Sequence, residues 1–233
     1  MKVPKLYYQL ENGLPYDNFC SDAAIGARET GIKAIGFENE LPDFDPYNIV
    51  VATVEETQKY LGKQIYPIFR EWSAPFEKRE VWECLISEIE DYPCFIKPSQ
   101  EIKAWTGIVV TNQEEALLFT QNYEGLVFTS PVMDIVSEYR VYVTHLRGII
   151  GVKHYSGDPY ITLDKKFVED CYKTSRVLKE NSYTLDFGVT SDGETFLIEV
   201  NDGWAIGNYG LSPKDYYEFV KTRFLQLTGV LRS

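Results

Sequence analysis

Histidine is almost missing from this chain. Only His145 and His154 occur, and neither has a Ser, Cys or carboxylate at a spacing that suggests a nucleophilic triad. Cysteine is nearly as scarce. Cys20, Cys84, Cys94 and Cys171 form no CxxC pair and no finger spacing, so they read as reduced packing residues rather than a zinc site or disulfide framework. Glycine-rich phosphate motifs are absent: there is no GxGxxG and no GxxxxGK[ST], which excludes a dinucleotide fingerprint and a phosphate loop of that type. Positive charge is short as well, with 23 Lys and Arg against 35 Asp and Glu, a formal charge of -12 and no basic cluster. A general electrostatic grip on nucleic acid is therefore not expected. No apolar run approaches membrane-spanning length, and the opening MKVPKLYYQLENG lacks the apolar core of a signal peptide. The expectation is a soluble cytoplasmic protein with neither a membrane nor a nucleic-acid partner.

What remains is a chain built to pack. Hydrophobic residues make up 44%, with 17 Tyr and 13 Phe, and 233 residues suffice for one large domain or two small ones. Strand-like and helix-like signals alternate from Val3 to Ile68, with strands at Leu6 to Tyr8, Lys33 to Phe37 and Ile49 to Ala52 and a helix over Asn18 to Glu29. Thr53 and Glu56 form a capping box for a short helix ending at Leu61-Gly62. Two prolines in 67–76 mark a connection, and Trp82, Leu85, Ile86 and Ile89 fall on one face of a helix predicted over Glu77 to Glu90. A strand at Cys94 to Lys97 leads into the loop Pro98 to Gly107. A strand-helix-strand unit follows, its helix predicted over Gln113 to Tyr123 with Ala116, Phe119 and Thr120 facing inward. Next come a hairpin of Glu138 to His145 with Gly148 to Tyr155, a helix over Lys165 to Lys179, and a second hairpin of Tyr183 to Val189 with Thr195 to Val200. A final helix from Pro213 to about Thr228 is capped by Ser212.

Polar residues in that second hairpin draw attention. Asp186 interrupts one apolar strand, and Glu199 and Asn201 end the other. Residues two apart on a strand share a face, and hairpin pairing can bring Asp186 beside them. Two carboxylates and a carboxamide suit a hard divalent cation that keeps positions open for phosphate; the plainer alternative is a hairpin with its acids in water. Lys97 stands at the tip of an apolar strand, in CFIKP, and Lys103 follows in SQEIKAWTG. A lysine so placed is expensive to desolvate unless an anion meets it, and the two could hold nucleotide phosphates. Glu138 and Arg140, in SEYRVYV, face one side, with Lys153 of GIIGVKHYS on the neighbouring strand. They form either a salt-bridge ladder or a face for ribose and phosphate. Asp186-Phe187-Gly188 matches the kinase DFG triplet, but the catalytic and glycine-rich loops of kinases are absent.

In order and spacing these signals resemble the ATP-grasp superfamily, over about residues 92–228. They comprise a strand ending Lys-Pro, a second lysine before a glycine turn, a strand-helix-strand unit leading to a hinge, a Glu-Tyr-Arg strand, then an Asp followed by Glu-x-Asn. The resemblance implies an α/β (α+β) fold in which two α+β lobes grip ATP. These would be a first lobe at 92–129 and a second at 130–233, after a small α/β leading lobe at 1–68 and a connecting segment at 69–91. It implies that Lys97 and Lys103 contact the ATP phosphates, that Thr129, Ser130 and Val132 receive the adenine, and that Glu138 meets the ribose. Asp186, Glu199 and Asn201 would carry Mg2+, with Mn2+ as an alternative. Many members place an arginine where this chain has Lys153, so the chain is similar to the clade in which lysine replaces it. Arg140 and Lys153 would then stabilise charge on the transferring phosphate. The implied activity is carboxylate-amine ligation through an acyl-phosphate. A kinase on the same fold and a nucleotide-binding module without turnover stand as alternatives. The acidic composition points to a small or basic acceptor such as an amino acid or peptide.

Overall fold

The computed structural model describes residues 4–68, 71–100 and 104–231. Among them, three four-stranded sheets are built from twelve strands and joined by six α-helices.

The leading sheet has a parallel centre. β1 (Lys5–Glu11) pairs with β3 (Lys33–Phe37) on one side and β4 (Ile49–Val51) on the other, and β2 (Leu14–Pro15) folds back against the end of β1. Parallel neighbours need a crossover, and α1 (Asn18–Glu29) supplies it. Helix α2 (Val54–Leu61) starts at Thr53, whose hydroxyl accepts the Glu56 amide, and stops at Gly62 in the left-handed conformation (φ 62°).

The second sheet runs β5 (Trp82–Cys84), β8 (Val127–Pro131), β6 (Cys94–Pro98), β7 (Ile108–Val110), all antiparallel. Here the structure departs from the predicted helix over Glu77 to Glu90. Helix α3 (Ala74–Glu77) ends where that helix was to begin, and β5 and a 3-10 turn (Ile86–Glu88) follow. Cys84, Ile86 and Ile89 are buried while Trp82 and Leu85 stay partly exposed. Pairing of Trp82 with Thr129 gives these residues a half-buried edge strand, which outweighs their helical spacing. Helix α4 (Gln113–Phe119) is also shorter than predicted, because Gln121 and Asn122 turn through positive φ. Ala116 and Thr120 face inward, but Phe119 is exposed.

The third sheet runs β10 (Gly148–Gly157), β9 (Ile135–Thr144), β11 (Ser182–Thr190), β12 (Thr195–Asp202), again antiparallel. Helix α5 (Lys165–Ser175) covers one face and stops four residues before the predicted Lys179. All nine residues of β11 are buried, as befits a central strand.

Helix α6 (Pro213–Leu227) returns to the leading lobe. Its Tyr216, Tyr217, Val220 and Phe224 share one core with Leu6, Ala23 and Ile49. At the crossing with α1 the helices touch backbone to backbone, for a Cβ on Gly26 would lie 1.9 Å from the Pro213 carbonyl oxygen. All four cysteines are free and buried.

Candidate functional site

Register places the predicted residues in a row. Lys153 is paired with Arg140, Arg140 with Asp186, and Asp186 with Glu199, so one rung crosses all four strands of the third sheet. Directly paired residues of antiparallel strands point to the same face, so two cations and two anions stand side by side. Asn201, two residues after Glu199, shares that face, and its amide nitrogen donates to Asp186 Oδ2 at 3.2 Å and Glu199 Oε1 at 2.7 Å.

Arg140 and Asp186 form a bidentate pair. Nε and Nη2 donate to the two carboxylate oxygens at 2.8 and 2.6 Å, with both residues buried. This is the planar fork geometry that lysine cannot supply. Burial pushes the Asp186 carboxyl up to about 6 in spite of its partner, and nearby Glu199 adds to the rise. Burial would also raise Glu199, but Lys97, Asn201 and Arg140 more than offset it and hold this carboxyl at about 2. Burial opposes the charged form of Arg140, but the Asp186 carboxylate outweighs that and raises its pKa.

Lys97, on the second sheet, reaches across to this row. Its Nζ lies 2.9 Å from Glu199 Oε2, joining the two lobes at the mouth of a cleft of about 480 Å³. Trp105 and Gly107 line the same cleft. Gly107 lies against the Phe95 ring, where a Cβ would fall 2.3 Å from Phe95 Cζ and force the ring to move. Lys97, Glu199 and Asn201 line the cleft directly, while Asp186 and Arg140 are buried behind them. Thr129 and Ser130 are buried on β8, Val132 is exposed just beyond it, and none of the three lines this cleft. Lys103 lies outside the described residues.

Glu138 accepts a hydrogen bond from the Tyr155 hydroxyl at 2.8 Å and, among the described residues, makes no salt bridge to Arg140 or Lys153. A cross-strand ladder is therefore not what these residues build. Tyr155 instead stacks on Tyr209 (4.7 Å between centroids, 20° between planes), and the Arg140 guanidinium lies 4.6 Å from the centre of the Tyr209 ring. Tyr142, two residues beyond Arg140, donates its hydroxyl to the Gly207 carbonyl and accepts the Tyr209 amide, both at 2.9 Å. Trp204 is buried and Tyr209 partly exposed, and both line the cleft. The sequence reading missed Tyr142 and Tyr155, although the two-residue spacing of Glu138, Arg140 and Tyr142, and of Lys153 and Tyr155, carries the signal. His145 and His154 stand apart from the row: His145 Nε2 meets the Leu178 carbonyl, and His154 packs edge-on against Tyr139.

Among the described residues, no cluster of three His, Cys, Asp or Glu side chains makes a closed metal cage. Glu199 and Asn201 at the cleft wall, with Asp186 buried behind them and held by Arg140, form an oxygen-donor set whose chemistry suits a hard cation that takes its remaining ligands from phosphate and water.

Comparison with known proteins gives a consistent picture. The sequence model described as ATP-grasp domain, R2K clade family 2, matches residues 76–219. No curated protein matches the sequence. Among solved structures, the D-alanine–D-alanine ligase of Bacillus anthracis complexed with ATP is similar at a TM-score of 0.52 and 13% identity, over 97% of this chain and 95% of that chain. The L-amino acid ligase of Bacillus licheniformis gives 0.54 and 14%, over 98% and 74%. The N5-carboxyaminoimidazole synthetase of Staphylococcus aureus complexed with ADP gives 0.56 and 11%, over 98% and 78%. At such identities the likeness is one of fold.

Proposed function

The chain belongs to family 2 of the R2K clade of ATP-grasp domains, and from that membership we propose that it is an ATP- and Mg2+-dependent carboxylate-amine ligase. The observation that carries this reading is the charged row Lys153–Arg140–Asp186–Glu199, closed across the cleft by Lys97. Cations and oxygen donors meet there at a cleft between two sheets, as phosphoryl transfer requires. Ligases of two kinds, one solved with ATP, share the fold and support the assignment.

In this reading a substrate carboxylate oxygen attacks the γ-phosphorus of ATP, the bond to the bridging oxygen breaks, and ADP leaves. An amine nitrogen then attacks the acyl carbon of the acyl-phosphate, loses a proton, and inorganic phosphate departs as the amide forms. Lys97 holds phosphate oxygens, joined by Lys103. Arg140 keeps Asp186 ionised and oriented, and Lys153 offers a point charge to the transferring group. Asp186, Glu199 and Asn201 would hold Mg2+, which when bound neutralises phosphate charge. Thr129, Ser130 and Val132 receive the adenine and Glu138 the ribose. No side chain forms a covalent bond to substrate.

The test is ATP turnover against pools of amino acids and short peptides, with product analysis. Phosphate release with a new amide supports ligation, and a stable phosphoester assigns a kinase. ATP binding without turnover in any pool assigns a nucleotide-binding module. Glu199→Gln and Asp186→Asn are expected to abolish Mg2+-dependent ATP binding; unchanged binding would remove the metal assignment.

A further inference from the structure

We infer that a contact from the leading lobe, Asp22 on α1 to Asn208, positions the 204–210 loop so that Tyr209 lies over Arg140. The inference rests on the reading of the charged row as the reacting site, but its structural content is separately testable.

Asp22 lies in the leading lobe, outside residues 76–219. Its Oδ2 accepts from Asn208 Nδ2 at 2.7 Å. Asn208 turns its other atom inward, and Oδ1 accepts the amides of Gly210 at 3.2 Å and Leu211 at 2.9 Å. Nδ2 also donates to the Leu211 carbonyl at 3.1 Å, so the side chain is held between the Asp22 carboxylate and the loop backbone. Both flanks of the loop are sunk in the leading core, since Ile206 and Leu211 are buried with Leu6, Phe19 and Ala23. The Tyr216 hydroxyl donates to the Ile206 carbonyl.

The catalytic sheet grips the opposite side of the loop. Arg140 Nη1 donates to the Gly207 carbonyl at 3.2 Å, and Tyr142 holds Gly207 and Tyr209. Between these two sets of anchors Tyr209 lies across β10. There it stacks on Tyr155 and roofs the Arg140 guanidinium. Such a roof keeps water from the Arg140–Asp186 pair and holds the guanidinium in its fork plane, which strengthens the interaction of both with a transferring phosphate. Asp22 and Asn208 are positioning residues, and Tyr209 is the group that they place.

A charge swap tests the contact. Asn208→Asp sets two carboxylates against each other, and Asp22→Asn with Asn208→Asp restores a donor and an acceptor. Amide exchange is read at Gly210 and Leu211, and the Arg140 Nε–H resonance reports the ring above it. A hydrogen bond to a charged group of this kind corresponds to about tenfold faster exchange when lost. Asn208→Asp is expected to show that increase together with a displaced Arg140 signal, and the double variant, which rebuilds the 22–208 pair but not the donation to the Leu211 carbonyl, to bring both back toward the wild-type values. Asp22→Ala, a cut at the lobe surface, repeats the loss should Asn208→Asp fold poorly. Unchanged exchange and an unmoved Arg140 signal in the single variants, or no recovery in the double variant, would overturn the inference. Mg·ATP binding is measured on the same samples. A wild-type protein that binds no Mg·ATP defeats the functional reading, while the exchange data still decide whether Asp22 sets the loop.

Discussion

Arg140 and Asp186 set the energetics at the level of single residues. Each is buried and each satisfies the other, so removing one strands a charge away from water. Arg140→Met is expected to destabilise the fold by about 3–5 kcal/mol, and Arg140→Met with Asp186→Leu by clearly less than the two single changes together, as urea unfolding would show. Glu199 gives a pH signature. Its carboxyl is held at about 2 against a usual 4.5, so its stabilising contribution is complete above about pH 4.5 and is lost as pH falls toward 2. Lys97→Met removes one cause of that depression. The stability gap between variant and wild type should be widest near neutrality and close on acidification; a gap constant from pH 7 to pH 3 would refute the coupling. How much of this could be read in advance follows from the range of each interaction. Glu199 and Asn201 lie two residues apart, and their shared face was legible. The Arg140 to Asp186 fork spans 46 residues and depends on the register of β9 against β11, which no local pattern contains.

Elements differ in legibility for a similar reason. Helix α1 and strand β3 emerged with the predicted limits, because capping signals and periodicity there agree with the tertiary demand. The segment 77–90 did not, because its apolar spacing fits a helix while its place beside β8 asks for an edge strand. Close packing of α1 on α6 is a second element-scale property that composition hides. Gly26 meets the Pro213 carbonyl and Tyr217 Cβ at distances no side chain allows. Gly26→Ala is expected to cost about 1–3 kcal/mol although alanine is the better helix former, since overpacking outweighs propensity. A rise in thermal midpoint for this variant would contradict the contact.

At the level of the whole molecule, the family match and the packed core do not coincide. The match runs from 76 to 219, but α6 extends to Leu227 and shares its core with β1, α1 and β4. A fragment of residues 76–219 would expose Tyr216, Tyr217 and Phe219 and lose Arg223, whose fork holds Asp202 at the end of β12 at 2.5 and 2.6 Å. Such a fragment is expected to show no cooperative thermal transition by circular dichroism, whereas the full chain unfolds in one step. Lys97 and Glu199, finally, serve as each other's counterion across the cleft. In the function proposed above, a phosphate would replace the carboxylate beside the lysine, and a cation would replace the ammonium beside the carboxylate. Loading of the site is then an exchange of counterions rather than the filling of a void. Nucleotide alone would take Lys97 from Glu199, leaving that carboxylate only Asn201 and the more distant Arg140, and Mg2+ alone would take Glu199 from Lys97. The two ligands should therefore raise the melting temperature far more together than the sum of their separate effects.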